Sequence, residues 1–263
     1  MKKPTITIVI PTLNEEAYLP KILNALALQT HPADEIIIAD AGSMDETIAI
    51  AKSYGLRVIQ GGLPAVGRNA GARFAKSELV LFLDADVIPP TDFIELCLEE
   101  FLRRDFNAAT CLIDPLADSS SIDKVLCKGT NLYFRVISPV SPHAPGFCIL
   151  SKREFHEKLG GFDETLFLSE DIDYARRAKQ NGRFGFLTSK RIPVSMRRVR
   201  KEGLLGLGYK YLWCEVYALV GKPVKNAPFK YEFGNFDSTP SRLKIQSVKH
   251  YWKILRHSIV GIA

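Results

Sequence analysis

The segment that decides the fold is Glu78-Leu79-Val80-Leu81-Phe82-Leu83-Asp84-Ala85-Asp86, in which an apolar run leads directly into two closely spaced carboxylates. A short apolar run that ends at polar residues is typical of a strand buried on both faces. We therefore predict a buried strand over residues 78–83, with Asp84 and Asp86 on the turn that follows it.

Upstream of this strand, short apolar runs alternate with helical patterns. Strands are predicted over residues 5–10, 35–39 and 56–59, and a helix follows each of them. The spacing of Ser43 and Glu46 predicts a capping box at the start of the second helix. Such alternation predicts an α/β fold with a mainly parallel sheet and helices on both faces.

The downstream half is less regular. Helices are predicted over residues 91–104, 151–159 and 169–181, and strands over 108–113 and 147–150. Ser151 and Glu154 have the spacing of a second capping box, and residues 114–141 receive no clear assignment. Further helices over 202–220 and 243–259 make a basic C-terminal region. We divide the chain into a catalytic unit, 1–195, and a basic, amphipathic helical extension, 196–263.

Charge is distributed unevenly along the 263 residues. Residues 190–263 contain 15 Lys and Arg against 4 Asp and Glu, whereas the remainder contains 20 against 25. The basic part therefore has the character of a surface for an anionic partner, such as a nucleic acid, a phospholipid face or a phosphorylated acceptor. Five scattered cysteines without a CxxC pair disfavour a zinc site. Because no signal sequence and no long apolar run are present, we expect a cytoplasmic protein.

Asp84 and Asp86 have the chemistry of a metal site. In open α/β sheets, ligands bind beyond the carboxyl ends of the strands. Mg²⁺ and Mn²⁺ prefer oxygen ligands and usually take one or two carboxylates plus substrate phosphates. Solvated aspartates on an ordinary turn are the alternative, but the position at the end of the most apolar strand favours the metal site.

Four other polar segments fall where a ligand would bind. Residues 12–15 follow the first strand, and Asp40 follows the second; its carboxylate either accepts hydrogen bonds from a ligand or caps a local turn. Arg68 lies between two helical glycines and either reaches a phosphate or lies on the surface. Glu170-Asp171 opens a helix, where the dipole alone favours acids, but either residue could also act as a general base.

Taken in chain order, these segments resemble the family 2 glycosyltransferases, which have the GT-A fold. The resemblance covers residues 4–190 and rests on these segments: Ile10-Pro11-Thr12-Leu13-Asn14-Glu15-Glu16, Ile38-Ala39-Asp40-Ala41-Gly42-Ser43-Met44-Asp45, Gly67-Arg68-Asn69-Ala70-Gly71, Phe82-Leu83-Asp84-Ala85-Asp86, Gly160-Gly161-Phe162-Asp163-Glu164 and Glu170-Asp171.

The resemblance implies a GT-A, Rossmann-like sheet and inverting transfer from a UDP- or GDP-linked sugar. Asp84 and Asp86 would bind Mn²⁺ or Mg²⁺, and Asp171, with Glu170 beside it, would be the catalytic base. The implied donor-binding residues are Pro11, Thr12, Asn14, Glu15, Asp40, Gly42, Arg68, Asn69, Asp84, Ala85 and Asp86. Ala41 stands where many members have Asp or Gly, which leaves the nucleotide base open.

The acceptor side is less defined. Without a Gln-x-x-Arg-Trp segment after Glu170-Asp171, the resemblance implies transfer of a single sugar to a lipid-linked or glycan acceptor, with no nucleic acid. Acceptor-side candidates are His143, Gly146, Arg197 and Arg198. The basic residues near Arg197 and near Trp252 are either solvated helix faces or a peripheral contact with an anionic membrane.

Two other functions remain open from the residues themselves. A sugar nucleotidyltransferase also combines a parallel sheet with carboxylate-bound Mg²⁺, but residues 11–15 lack the glycines of a triphosphate loop. A non-catalytic nucleotide-sugar binding module would have no need of Asp171. Retained donor binding without transfer in Asp171→Asn would favour the enzyme.

Overall fold

The computed structural model describes residues 3–117, 119–138, 141–219, 224, 228–229, 231 and 233–234, except the side chains of residues 218 and 219. Within these ranges the strands are β1 (Ile6–Thr12), β2 (Glu35–Asp40), β3 (Arg57–Gln60), β4 (Leu79–Leu83), β5 (Ala108–Pro115), β6 (Cys148–Lys152) and β7 (Phe184–Val194). The helices are α1 (Leu19–Ala27), α2 (Thr47–Ser53), α3 (Pro64–Phe74), α4 (Phe93–Arg103), α5 (Ser121–Ile137), α6 (Arg153–Lys158), α7 (Glu170–Asn181), α8 (Arg197–Glu202) and α9 (Leu204–Leu219).

The seven strands form one sheet in the order β3-β2-β1-β4-β6-β5-β7. The first four of these are parallel, and β5 and β7 are parallel to each other. Only β6 runs antiparallel to its neighbours β4 and β5. The predicted α/β fold with a mainly parallel sheet is therefore confirmed. Because β6 is reversed, its amino end lies beside the carboxyl end of β4.

Helices cover both faces of the sheet. On one face, apolar residues of α1, α2, α4 and α5 pack against alternate strand residues such as Ile8, Ile10 and Leu81. On the other face, α3, α6 and α7 pack against the residues between them, such as Val9 and Phe82. The period-2 alternation of strand side chains thus divides the core into two layers. The five cysteines are free and buried.

Three elements of the described residues were not predicted: α5, β7 and α8. The first begins with a capping box of Ser120 and Asp123. Its buried Asn131 side chain bonds both backbone groups of Ile113, at 3.0 and 2.7 Å, and so occupies the edge of β5 beyond the end of β6. β7 is an edge strand, where alternation is weak and Pro193 is tolerated.

Both predicted capping boxes are wrong. The first helix in question begins at Thr47, and the Ser43 hydroxyl bonds Asp40 and the backbone of Asn14 instead. Ser151 is a fully buried residue of β6. In both places tertiary contacts, with Asn14 for Ser43 and with Tyr174 for Ser151, accompany the departure from the local pattern.

The glycines of α3 serve helix–sheet packing. A Cβ at Gly71 would collide with the Val9 side chain, and one at Gly67 would lie 3.3 Å from the Pro11 Cβ. The close approach that these glycines allow is therefore between α3 and β1.

The C-terminal region is described as far as α9 and at a few later positions. The predicted helix over 243–259 lies outside the described residues, and the division at residue 195 stays a prediction. None of the helices in the described ranges combines the length and hydropathy needed to cross a bilayer.

Candidate active site

Asp40 organises the turn after β2. Its Oδ1 accepts hydrogen bonds from the backbone N–H groups of Gly42 and Ser43, at 2.9 and 2.8 Å. Its Oδ2 accepts from the hydroxyls of Thr12 and Ser43, at 2.8 and 2.6 Å. Gly42 has φ 93°, a left-handed conformation that favours glycine. The buried carboxylate therefore fixes this turn to the end of β1.

The loops after β1 and β2 are joined to each other. Asn14, at φ 54°, donates its backbone N–H to the Ser43 hydroxyl, and its Oδ1 accepts from the backbone of Met44, both at 2.8 Å. The backbone N–H of Glu15 donates to the Thr47 hydroxyl at 2.7 Å. These bonds hold the Glu15 side chain at the carboxyl edge of the sheet.

Arg197 links Glu15 to Asp86. Its Nη1 and Nη2 donate to the two carboxylate oxygens of Glu15, at 2.8 and 2.6 Å, and its Nε donates to Asp86 Oδ2 at 3.0 Å. The guanidinium also lies 4.5 Å from the centroid of the Tyr18 ring. Burial raises the pKa of Glu15 to about 7 and raises that of Asp86, while Arg197 opposes both shifts.

The end of β7 brings Arg197 to this position. Val194 forms a bridge with Val87, and the backbone N–H of Ser195 donates to the Asp86 carbonyl at 3.1 Å. We expected Arg197 on the acceptor side. The structure instead groups it with Glu15 and Asp86, two of the residues expected to bind the donor.

Arg68 connects the carboxylate after β4 to the start of α7. Its Nη2 donates to Asp84 Oδ1 at 2.9 Å and to the Gly146 carbonyl at 3.0 Å, and its Nη1 donates to Glu170 Oε1 at 2.8 Å. The residue is only 2% exposed, which excludes a surface arginine. A buried cation of this kind holds nearby acidic groups in the charged form.

Asp171 lies at the same junction. Its Oδ2 accepts from the backbone N–H of Gly146 at 2.8 Å. Burial raises the pKa of Asp171, although the positive charge of Arg68 opposes this shift. Burial and the negative charge of Asp171 raise the pKa of Glu170 to about 6. Ser169, directly before the pair, has φ 65°, a conformation that is uncommon without glycine and clusters at functional sites.

Asp84 and Asp86 fit a hard divalent cation. Asp84 Oδ1 accepts from Arg68 and Asp86 Oδ2 from Arg197, so one oxygen of each carboxylate makes no hydrogen bond within the described residues. Across the same part of the chain, no group of three or more metal-ligating side chains is assembled. Two carboxylates without a complete protein cage suit Mg²⁺ or Mn²⁺, which takes its other ligands from water and substrate phosphates.

Three candidates lie outside this cluster. Asn69 uses its side-chain amide on the backbone of Phe162 and on Glu164. His143 bonds the Ser141 carbonyl and Glu215, both at 2.7 Å. Arg198 pairs with Glu202 and lies over the Tyr231 ring. Pro11 and Ala85 contribute backbone and apolar packing around the site.

Sequence reasoning missed Tyr18, Thr47 and the support given by Ser43. The Thr47 hydroxyl bonds the backbone of Glu15, the Ser43 hydroxyl bonds Asp40, and the Tyr18 ring contacts Arg197. Most of these contacts join segments that are distant in the chain, so the local sequence does not reveal them. A separate cleft of about 810 Å³ near Arg73 and Arg177 contains none of Asp84, Asp86 and Asp171, so the carboxylate cluster remains the candidate site.

The chain matches the family model "Glycosyl transferase family 2" over residues 7–160. Validoxylamine A glucosyltransferase of Streptomyces hygroscopicus subsp. limoneus is 38% identical over 105 residues, which is 36% of this chain and 23% of that protein. The chain therefore corresponds to less than a quarter of the length of this curated relative.

Two solved structures share the fold. A mannosyltransferase from Pyrobaculum calidifontis, in complex with GDP-Man and Mn²⁺, has a TM-score of 0.61 at 21% identity, covering 81% of this chain and 65% of the other. TarS of Staphylococcus aureus, in complex with UDP-GlcNAc, has a TM-score of 0.57 at 21% identity, covering 73% and 58%. The family match over residues 7–160, more than half of the chain, and the shared fold lead to one assignment: the chain belongs to glycosyl transferase family 2.

Proposed function

We propose that this chain transfers a single hexosyl residue from a UDP- or GDP-linked sugar to an acceptor hydroxyl or lipid phosphate, with inversion, with Asp171 as the general base. The observation that carries the proposal is the chain of contacts from Asp84 through Arg68 to Glu170, with Asp171 bonded beside it to Gly146. It joins residues suited to hold a diphosphate to a carboxylate suited to accept a proton.

The raised pKa of Asp171 supports its role as the base. A general base works best when its pKa approaches the operating pH, because it is then both deprotonated and basic enough. Burial moves the pKa of Asp171 in that direction, while Arg68 keeps the carboxylate available. Asp171 would accept the acceptor proton while the acceptor oxygen attacks the anomeric carbon and the nucleoside diphosphate leaves.

The donor half of the site is suited to a diphosphate. Asp84 and Asp86 would hold Mn²⁺ or Mg²⁺, which would offset the negative charge of the leaving group. Arg68 and Arg197 lie beside these carboxylates and would hold them in the charged form that binds the ion. Thr12, Glu15 and Asp40 shape the edge where the nucleoside would lie. Similar structures that hold GDP-Man and UDP-GlcNAc support both nucleotide classes.

Asp171→Asn tests the proposal. Nucleoside diphosphate release from UDP-Glc, UDP-GlcNAc and GDP-Man would be measured with Mn²⁺ and a mixture of lipid-linked and glycan acceptors. Loss of a general base is expected to lower kcat roughly 10²- to 10⁴-fold. Donor binding, measured by calorimetry, is expected to persist because Asp171 bonds the backbone of Gly146 away from Asp86.

Asp92→Asn is a matched control, because Asp92 also lies at a helix start but pairs with Lys190 on the surface. If Asp171→Asn transferred the sugar with the wild-type kcat, Asp171 would not be the general base. Absence of donor binding to the wild type would contradict the nucleotide-sugar assignment itself.

A further inference from the structure

α5 carries an apolar stripe on its outer face. Ile122, Val125, Leu132 and Val136 are 69%, 68%, 64% and 69% exposed, and Gly129 completes the alternating spacing of three and four residues. Such spacing places all five positions on one side of a helix. The inner side is formed by Asp123, Cys127, Asn131 and Phe134. The stripe therefore points away from the sheet.

One edge of this stripe is basic. Lys124, Lys128 and Arg135 are exposed and, among the described residues, form no ion pair. The acidic residue of α5, Asp123, is buried and paired with Arg200 at 3.2 Å. The exposed surface of α5 is thus apolar with uncompensated positive charge, a combination typical of helices that lie on anionic membranes.

The same charge argues against two other occupants. In a pair of α5 helices from two copies of the chain, three basic residues would be brought close to three others, and like charges repel. Residues 238–263 contain five Lys and Arg and no Asp or Glu, so they do not complement α5 either. An anionic partner is favoured over both.

α5 is also fixed to the acceptor side of the candidate site. The Arg200–Asp123 pair attaches its first turn to α8. Near its end, the Tyr133 ring packs edge-to-face against the ring of His143, with 5.6 Å between the centroids, and His143 bonds Glu215 of α9. Glu215 has a lowered pKa, because the bonds from His143 outweigh the effect of burial.

We propose that the outer face of α5 docks onto an anionic phospholipid bilayer, with Ile122, Val125, Leu132 and Val136 entering the headgroup boundary and Lys124, Lys128 and Arg135 contacting lipid phosphates. Lys and Arg stems cover apolar surface while their charged ends reach phosphate level. Docking at α5 would bring a lipid-linked acceptor to the loop that contains His143 and Gly146.

Co-sedimentation of the full chain with vesicles tests this proposal. Binding to vesicles of phosphatidylcholine with phosphatidylglycerol is expected to exceed binding to phosphatidylcholine alone. Lys124→Gln, Lys128→Gln and Arg135→Gln together are expected to weaken it roughly a hundredfold, about fivefold for each charge. Ile122→Gln with Leu132→Gln should weaken binding to both vesicle types.

Leu28→Gln is the matched control, because Leu28 is 68% exposed at the end of α1 and should leave vesicle binding unchanged. A second triple variant tests whether the later basic residues bind the vesicles instead of α5; it combines Lys249→Gln, Lys253→Gln and Arg256→Gln. The proposal is overturned if the wild type does not bind anionic vesicles, or if only the latter set abolishes binding. It is also overturned if Ile122→Gln with Leu132→Gln converts a dimer to a monomer in light scattering. Vesicle binding requires no donor, so it is independent of the proposed transfer.

Discussion

The guanidinium of Arg197 forms two hydrogen bonds to the Glu15 carboxylate, at 2.8 and 2.6 Å, across 182 positions of the chain. The pair is largely buried, with side chains 11% and 9% exposed. It joins the first helix of the basic region to the loop after β1. A residue in a positively charged segment is thus part of the candidate donor site.

Arg197→Ala is expected to lower the free energy of unfolding by about 3 kcal/mol, because the buried carboxyl groups of Glu15 and Asp86 would both lose their hydrogen-bonded cation. Urea denaturation would measure the change. Arg191→Ala is the control: its pair with Asp114 is exposed, and its loss should cost less than about 1 kcal/mol. Equal losses in the two variants would argue against a structural role for the Glu15 pair.

Gly146→Ala is expected to lower kcat roughly tenfold or more while leaving the fold intact. A Cβ at Gly146 would lie 2.5 Å from Arg68 Nη2, and a small displacement of a positioned group can cost far more than the contact itself. Gly206→Ala, in open space, controls for the added methyl group. A Gly146→Ala enzyme with wild-type kcat would show that the position of Arg68 is not critical.

Asp86→Asn is expected to weaken Mn²⁺ binding at least about tenfold, because an amide replaces a charged oxygen ligand. Electron paramagnetic resonance of free Mn²⁺ measures the affinity without requiring turnover. Asp114→Asn, which changes an exposed carboxylate on β5, should bind Mn²⁺ as the wild type does. Full Mn²⁺ affinity in Asp86→Asn would exclude Asp86 as a ligand.

Gly71→Ala is expected to destabilise the fold by about 1–3 kcal/mol, because the added methyl group overlaps Val9 in a packed interface. Introducing Val9→Ala into the same chain should recover part of the loss. Thermal denaturation of the single and double variants measures both effects. Additive losses would mean that the two side chains do not meet.

Stability is expected to fall as the pH drops from about 6.5 to about 4, partly because of His156. Burial, and then the charge of Arg177, lower the pKa of His156 from 6.5 to about 4. In this window the unfolded chain binds the proton and the folded chain does not, so acid favours unfolding, by up to about 3 kcal/mol.

His156→Phe should flatten this pH dependence, as measured by urea denaturation at several pH values. Phe162→Leu changes the same aromatic cluster but keeps the titrating ring, so its pH dependence should match the wild type. A wild-type slope in His156→Phe would assign the effect to other groups.

The half of the sheet that contains β1, β2 and β4 can be predicted from the sequence because these strands are buried on both faces. The apolar runs that became β1, β2 and β4 stand out, and the polar residues after them necessarily meet at one edge of a parallel sheet. The placement of Asp40, Asp84 and Asp86 follows from that rule alone.

α5 and Arg197 escaped prediction for physical reasons. α5 reverses the usual pattern, with polar Asn131 and Asp123 inside and Ile122 and Leu132 outside, so its periodicity does not reveal its inner face. The partners of Arg197 are remote in the chain, and a cluster of positive charge carries no information about which carboxylate will neutralise one of its members.

The reversed direction of β6 gives this sheet a second source of loops at its ligand-binding edge. The loops at this edge that belong to β1, β2 and β4 follow the carboxyl ends of those strands. The segment around His143 and Gly146 instead precedes the amino end of β6, because β6 runs antiparallel to β4. Under the proposed function, insertions between α5 and β6 would reshape the acceptor end through a segment that is separate in the chain from residues 12–15, 40 and 84–86. Variation in the acceptor beside an unchanged donor half would then be the expected outcome of that arrangement.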